Sequence, residues 1–320
     1  MRQERVFSSS KWRYVWAEYP ELVLDKQFYT EMVRSKSPIL FQSEYGNIVN
    51  GILFQHLGPI LKFVLDIPEL QSTRYSNIDQ CAPKGLDGCR KLTHLFLTSV
   101  AFEFSVLNFP QLLQLTLQSC SGIHLLSISA PSLKGLILVG NDGLDLSNYI
   151  TCKDLVVACI ALSKEVEHHK LEKEITLTKL LGCWPKLKRL LFDESFFQHL
   201  AAGDIPHKLP VDLLNSLSNR IKSDEKTLQH LKEPGLMKES LKGLKTVIMR
   251  NFKGSTAELL LVKLLLACSP SLERMCIQEN QGLDPIERLN ISKELMQFSR
   301  ASPKAEMFFR PSFLISIDVS

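Results

Sequence analysis

Short apolar triplets of the form L-x-x-L-x-L recur along the chain. Close copies begin at Leu92, Leu112 and Leu133, and looser copies begin at Leu187 and Leu272. The alternation predicts short β-strands, because side chains two residues apart point to the same side of a strand. A proline stands two residues before the first leucine of most copies, which predicts a repeated turn at the strand entrance. These prolines are Pro110, Pro131, Pro185 and Pro270.

The spacing of the triplets predicts how the strands are arranged. The first copies start about 20 residues apart, within the period of about 20–29 residues that is typical of leucine-rich repeats. Residues 154–162 form a degenerate copy. Stacked repeats of this kind share one continuous leucine core, and each repeat contacts only its neighbours. The predicted fold is α/β, an irregular leucine-rich-repeat solenoid with a curved parallel sheet and with helices and loops on the convex side. The alternative is a set of unrelated buried strands with chance spacing.

Other segments predict helices and insertions. Residues 257–268 are almost wholly apolar and precede Ser269-Pro270, which predicts a buried helix that ends there. Leu177, Leu180 and Leu181 predict the apolar side of a shorter helix. Residues 163–175 and 222–240 are polar and carry charges of both signs, so we interpret them as surface insertions between strands.

Composition restricts the class of protein. The chain has 320 residues, of which 54 are leucine, and a net charge of +4 from 38 basic and 34 acidic residues. With 45% hydrophobic residues, it is predicted to fold. The near-balanced charge predicts no nucleic-acid partner. No apolar run reaches the roughly 20 residues of a membrane helix, which predicts no membrane partner. The eight cysteines form no C-x-x-C pair, so we expect no zinc site and reduced thiols in a cytoplasmic or nuclear protein.

Motifs that carry chemistry are missing from the sequence. It contains no phosphate loop, no G-x-G-x-x-G, no H-E-x-x-H and no G-x-S-x-G. His168-His169 has no third ligand nearby, and Asp142, Asp145 and Asp154 have no evident acid-base partner. We therefore predict a non-enzymatic protein, with no catalytic residue, cofactor or metal.

The third and fifth positions of each triplet predict a binding surface. They face away from the leucine core, on the inner surface of the predicted arc. The fifth-position column is mostly apolar and is flanked by polar and basic residues, which is typical of protein-binding surfaces. The alternative is that other segments of the chain cover this column. The residues at these positions are His94, Phe96, Gln114, Thr116, Gly135, Ile137, Arg189, Leu191, Arg274 and Cys276.

Two terminal segments resemble a known family. Residues 10–25, S-K-W-R-Y-V-W-A-E-Y-P-E-L-V-L-D, resemble the end of an F-box, and residues 293–306 resemble the ending of the plant F-box/FBD/LRR-repeat family. Residues 244–279 are similar to its FBD region. The resemblance implies a remnant of an F-box over residues 1–30 with only the last helix, irregular leucine-rich repeats over 31–235 and an FBD-like C-terminal region over 236–320.

The resemblance also implies a function. Members of the family resemble substrate-receptor subunits of SCF-type (cullin-RING) E3 ubiquitin ligases, which implies a protein target, a Skp-type adaptor and a cullin as partners. Trp12, Arg13 and Trp16 form the F-box remnant, and we expect the F-box to be truncated because only nine residues precede Ser10. Trp12 and Trp16 either contact the adaptor or pack on the first repeat. The alternative function is a stand-alone interaction scaffold without a role in ubiquitin transfer.

Overall fold

Parallel strands form the framework of the protein, and they carry the predicted alternation of buried and exposed side chains. The structure, a computed structural model, describes residues 18–33, 38–67, 89–102, 105–142, 146–162, 177–196 and 241–311. The described residues divide into two compact units, and the division falls between Tyr149 and Ile150. The domain boundaries at residues 30 and 235 stay a prediction.

Among its described residues, the first unit contains five parallel strands of the large sheet and a separate two-stranded parallel sheet. The larger sheet has the order β1 (Glu21–Leu24), β2 (Lys62–Asp66), β3 (His94–Thr98), β5 (Gln114–Gln118) and β7 (Gly135–Asn141). The smaller sheet pairs β4 (Ser105–Asn108) with β6 (Leu126–Ser129). The helices are α1 (Lys26–Val33) and α2 (Pro38–Gln55), with 3-10 turns at Ile123–Leu125 and Leu146–Tyr149.

The second unit contains five parallel strands in chain order. They are β8 (Val157–Leu162), β9 (Arg189–Asp193), β10 (Thr246–Phe252), β11 (Arg274–Glu279) and β12 (Glu306–Arg310). The helices are α3 (Leu177–Cys183), α4 (Thr256–Cys268) and α5 (Pro285–Met296). The predicted helix over residues 257–268 and the shorter one at Leu177 are confirmed.

The leucine triplets lie in register on neighbouring strands, as predicted. Leu95 pairs with Leu115, and Leu115 pairs with Leu136. All the leucines of these triplets are buried. Two further triplets contain other apolar residues in place of some leucines, and their apolar side chains are buried as well. They are Ile60-x-x-Phe63-x-Leu65 at β2 and Leu244-x-x-Val247-x-Met249 at β10. Burying each of these side chains stabilises the fold by about 2 kcal/mol, so this shared core is the main stabilising feature.

A four-residue turn precedes the triplets that begin with leucine. The backbone N–H of Leu112 donates to the carbonyl of Phe109 at 3.1 Å, and the same bond joins Leu187 to Trp184 at 3.1 Å. The prolines occupy the second position of such turns, where the required φ matches the value at which the proline ring fixes the backbone. The turn also forms without proline, where Leu155 donates to Cys152. The prolines therefore mark the turn before the strand.

Side chains and shared carbonyls join each repeat to the one before it. The N–H groups of Lys134 and Gly135 both donate to the carbonyl of Leu113, at 2.9 Å each. Asn141 is buried at the position that leucine-rich repeats fill with Asn or Cys. Its Oδ1 accepts from the N–H of Cys120 at 2.8 Å, and its Nδ2 donates to the carbonyl of Leu117 at 3.0 Å. One side chain thus satisfies a buried donor and a buried acceptor of the preceding repeat.

The longest apolar stretch forms a buried helix. Helix α4 begins with a capping box, in which the Ser255 hydroxyl accepts the N–H of Glu258 and the Glu258 carboxylate accepts the N–H of Ser255. Its described side chains are buried nearly all round, as expected for a helix with so few polar residues. Helix α5 packs only one side, with Ile291 and Leu295 buried.

Candidate protein-binding surface

The predicted binding positions of the first unit lie side by side on one face of its larger sheet. His94 pairs with Gln114 and Gln114 with Gly135, while Phe96 pairs with Thr116 and Thr116 with Ile137. The pairing of β1 with β2 and of β2 with β3 adds Val23 and Val64 to the row of fifth-position residues. We call this set of residues the first row: Val23, Val64, Phe96, Thr116 and Ile137.

Exposure along the first row is uneven, which corrects the expectation of an open column. Val23 is 45% exposed and Phe96 is half-buried, but Thr116 and Ile137 are only 6% and 9% exposed. The cause at Thr116 is lateral packing, because a short branched side chain lies between Phe96 and Ile137 on strands about 4.8 Å away. Gly135 is also buried, since the Gln114 side chain lies over its Cα. The accessible part of this row is therefore at Val23, Val64 and Phe96.

The predicted positions of the second unit lie on a corresponding face. Arg189 and Arg274 flank Thr246 at the third position, and Leu191 and Cys276 flank Ile248 at the fifth. We call the second row the set Cys159, Leu191, Ile248, Cys276 and Phe308. All of its members except Cys159 are half-buried.

Polar and charged residues border the second row on both sides. Arg189, Arg274 and Glu306 precede it along their strands, and all are exposed. Asp193, Arg250, Gln278 and Arg310 follow it, each two residues beyond a member of the row, at what we call the seventh position. Asp193 and Gln278 are buried, whereas Arg310 is exposed. An apolar strip between charged borders resembles the core and rim of a protein interface.

The cysteines of this face have the properties of apolar side chains. Burial raises the pKa of the Cys159 thiol to about 11. Burial also raises the pKa of Cys276, while the positive charges of Arg274 and Arg310 oppose the shift. Because the nucleophile is the thiolate, both thiols are poor nucleophiles near neutral pH. Their properties suit a contact surface better than a catalytic role.

The acidic residues that could carry chemistry have structural roles. Asp142 accepts the N–H of Gly122 at 2.8 Å, and Asp154 accepts from Lys186 Nζ at 2.6 Å. Asp193 is buried and accepts the N–H of Phe196, and its desolvation raises its pKa. Within the described ranges no cluster of His, Cys, Asp or Glu could hold a metal ion. No helix in the part of the chain that the structure describes is long and apolar enough to span a membrane.

Some residues of the two rows were missed by the leucine pattern. Val23, Val64, Cys159, Ile248 and Phe308 belong to strands whose triplets contain Phe, Ile, Val or Ala in place of leucine, or lack a recognisable triplet. A search for any apolar residue at these positions finds β2 and β10, and the degenerate copy at residues 154–162 already predicted β8. Trp12, Arg13 and Trp16, the predicted F-box remnant, lie outside the described residues.

Comparison with known proteins extends over nearly the whole chain. The chain is 24% identical to an F-box/FBD/LRR-repeat protein of Arabidopsis thaliana, across 94% of this chain and 91% of that protein. The predicted family resemblance is confirmed. The repeat register and the Asn141 contacts agree with the LRR part of that name. No family model and no solved structure matches the chain.

Proposed function

We propose that the chain is a non-enzymatic protein-recognition module that presents a target through the half-buried apolar rows of its sheets. The observation that carries the proposal is the second row, where four apolar or thiol side chains remain partly accessible between charged borders. Such a strip gains free energy when a partner covers it, at about 25 cal/mol per Å². The name of the Arabidopsis relative supports the same class.

The finer proposal is a substrate-receptor subunit of an SCF-type E3 ligase. It draws on the F-box in the relative's name and on the F-box-like residues Trp12, Arg13 and Trp16. In this arrangement the F-box-like segment contacts a Skp-type adaptor, which connects to a cullin, and the sheet faces hold the target.

Adaptor binding tests the finer proposal. The purified chain and a Skp-type adaptor should form a complex in size-exclusion chromatography, and Trp12→Ala with Trp16→Ala should weaken it. Failure to bind, with binding of the Arabidopsis relative under the same conditions, would reject the receptor role. It would favour a stand-alone interaction scaffold.

Target capture tests the face itself. Leu191→Glu with Ile248→Glu places two charges in the second row and should abolish capture of the chain's co-purified target. Ile286→Glu is a matched control, because Ile286 is exposed on α5, away from the strands of the row. Equal capture by both variants would contradict the assignment of the face.

We also propose that the repeats form an irregular leucine-rich-repeat solenoid. The support is local: the same buried triplet, entrance turn and shared carbonyl recur within each unit. Because each repeat contacts only its neighbours, Leu115→Ala should lower hydrogen-exchange protection in the neighbouring strands β3 and β7 more than in β1. Equal losses of protection in β1, β3 and β7 would contradict the solenoid.

A further inference from the structure

Two arginines at the C-terminal end of the second row differ from the other charges on that face. Arg274 begins β11 and is the third residue of the triplet that starts at Leu272, whereas Arg310 ends β12 and stands opposite Gln278, the seventh residue counted from Leu272. Both are exposed. Arg310 lies over the ring of Phe308, with its guanidinium carbon 4.7 Å from the ring centroid. Arg274 precedes Cys276 by two residues, and Arg310 follows Phe308, the register neighbour of Cys276, by two residues, so the two arginines lie on either side of the same part of the row.

These two guanidinium groups have no carboxylate partner within ion-pair distance among the described residues. Glu306 stands opposite Arg274 in the strand register, yet no bond joins their side chains within the part of the chain that the structure describes. Glu273, next to Arg274 in sequence, is instead paired with Lys245 at 2.7 Å. Arg189 and Arg250, the other arginines of this face, each have an interaction partner, and Arg250 stands opposite the buried Asp193 in the strand register.

The first row offers no equivalent. Its third and seventh positions hold Lys62, which is paired with Glu21 at 3.4 Å, and uncharged or acidic residues such as Gln114, Gln118 and Asp66. Among the described residues of the two rows and their borders, arginines without a carboxylate partner therefore lie on β11 and β12.

We propose that the β11–β12 part of the second row binds an extended acidic segment of the partner protein, with the pattern acidic-x-apolar-x-acidic. The inference rests on the proposed function, since it names the chemistry of what this face recognises.

The spacing follows from strand geometry. Third and seventh positions are four residues apart, about 13 Å at about 3.3 Å per residue. Two acidic residues four apart in an extended peptide span the same length and point to the same side. The residue midway between them points to that side too. It would lie on Cys276 and Phe308, which are half-buried and apolar in character.

Arginine suits this role because its guanidinium binds carboxylates through two parallel hydrogen bonds. Stacking on Phe308 holds the Arg310 side chain in place before binding, which reduces the entropy lost on association. Opposite charges in the partner therefore provide both attraction and register.

Fluorescein-labelled peptides test the proposal by fluorescence polarisation against the full chain. The probes are Gly-Glu-Gly-Leu-Gly-Glu-Gly and versions with Gln for both Glu, with Lys for both Glu, or with Ser for Leu. The Glu-Leu-Glu peptide should bind, and the Gln and Ser versions should bind more weakly. Affinity should also fall as salt rises.

Charge reversal gives the decisive comparison. Arg274→Glu with Arg310→Glu should weaken the Glu-Leu-Glu peptide about tenfold or more and should favour the Lys version. Arg274→Gln with Arg310→Gln should give an intermediate loss. Lys91→Glu with Lys134→Glu is the matched control, because it changes the net charge equally at exposed sites of the first unit. Urea unfolding of each variant should match that of the parent chain.

Either of two outcomes would overturn the proposal. One is no binding by any peptide, and the other is equal affinity for the Glu and Gln peptides or for the parent and reversed chains. The proposed function is judged separately, by target capture with Leu191→Glu and Ile248→Glu. A target that is captured but insensitive to Arg274→Glu with Arg310→Glu would reject only the acidic pattern.

Discussion

Asn141 gives the sharpest test of how neighbouring repeats are held together. Its side chain is 1% exposed and satisfies the N–H of Cys120 and the carbonyl of Leu117 in the preceding repeat. Asn141→Ala removes both partners and leaves no room for solvent to replace them. An unsatisfied buried polar group costs about 1–3 kcal/mol, so the loss of two partners should lower the free energy of unfolding by about 2–6 kcal/mol.

Asn148 is the matched control for this substitution. It makes the same pair of contacts, accepting from the N–H of Ile128 at 3.1 Å and donating to the carbonyl of Leu126 at 3.0 Å. It is only half-buried, so water can replace part of what alanine removes. Asn148→Ala should therefore cost about 1 kcal/mol.

Urea unfolding followed by circular dichroism measures both losses. Native-state hydrogen exchange adds a local reading, because the Cys120 amide should exchange faster in Asn141→Ala than in the parent chain. A loss under about 0.5 kcal/mol for Asn141→Ala, or equal losses for the two variants, would refute the reasoning that burial determines how much these hydrogen bonds contribute to the free energy of unfolding.

The remaining predictions concern backbone strain and pH. Gly122 has φ of +69°, and a Cβ there would clash with the backbone carbonyl oxygen of Phe102, so Gly122→Ala should cost about 3 kcal/mol in urea unfolding. Gly140 has φ of +64° with no atom closer than 3.5 Å, so Gly140→Ala should cost only about 1 kcal/mol, and equal costs would contradict the role of the close approach. Burial raises the pKa of Glu258 above its usual 4.5, so the folded state binds this proton more tightly than the unfolded state and stability falls as pH rises from 4.5 through the raised pKa. Glu258→Gln should reduce that slope in urea titrations at stepped pH, and an unchanged slope would count against this origin.

Much of the repeat architecture could be predicted from leucine spacing. Leu95, Leu115 and Leu136 lie in register because a 20–21-residue period brings equivalent apolar positions together. Strand β12 escaped the pattern, because Glu306–Arg310 carries no leucine and depends on pairing with β11 for its place. The period also gives no information on contacts such as those of Asn141, where one amide replaces two backbone partners.

The binding face was harder to predict than the core. Alternation assigns Phe96 and Ile137 to the same side of the sheet, but their exposure depends on the size of side chains on neighbouring strands, as the burial of Thr116 shows. Three-dimensional packing determines which carboxylates come close to an arginine. The absence of a carboxylate partner for Arg274 and Arg310 among the described residues therefore could not be predicted from their positions in the sequence.

The accessibility of Cys276 in the complex with a captured target tests the central claim most directly. Cys276 is half-buried in the second row, and Cys183 is half-buried at the end of α3, so both are accessible to an alkylating reagent in the free chain. The reaction is run at mildly alkaline pH, because the raised pKa of Cys276 slows alkylation near neutral pH. Mass spectrometry of the free chain and of the stoichiometric complex measures the alkylation rate at each thiol. The account predicts that the target slows alkylation of Cys276 and leaves that of Cys183 unchanged. Equal alkylation of Cys276 in the free chain and the complex would contradict it.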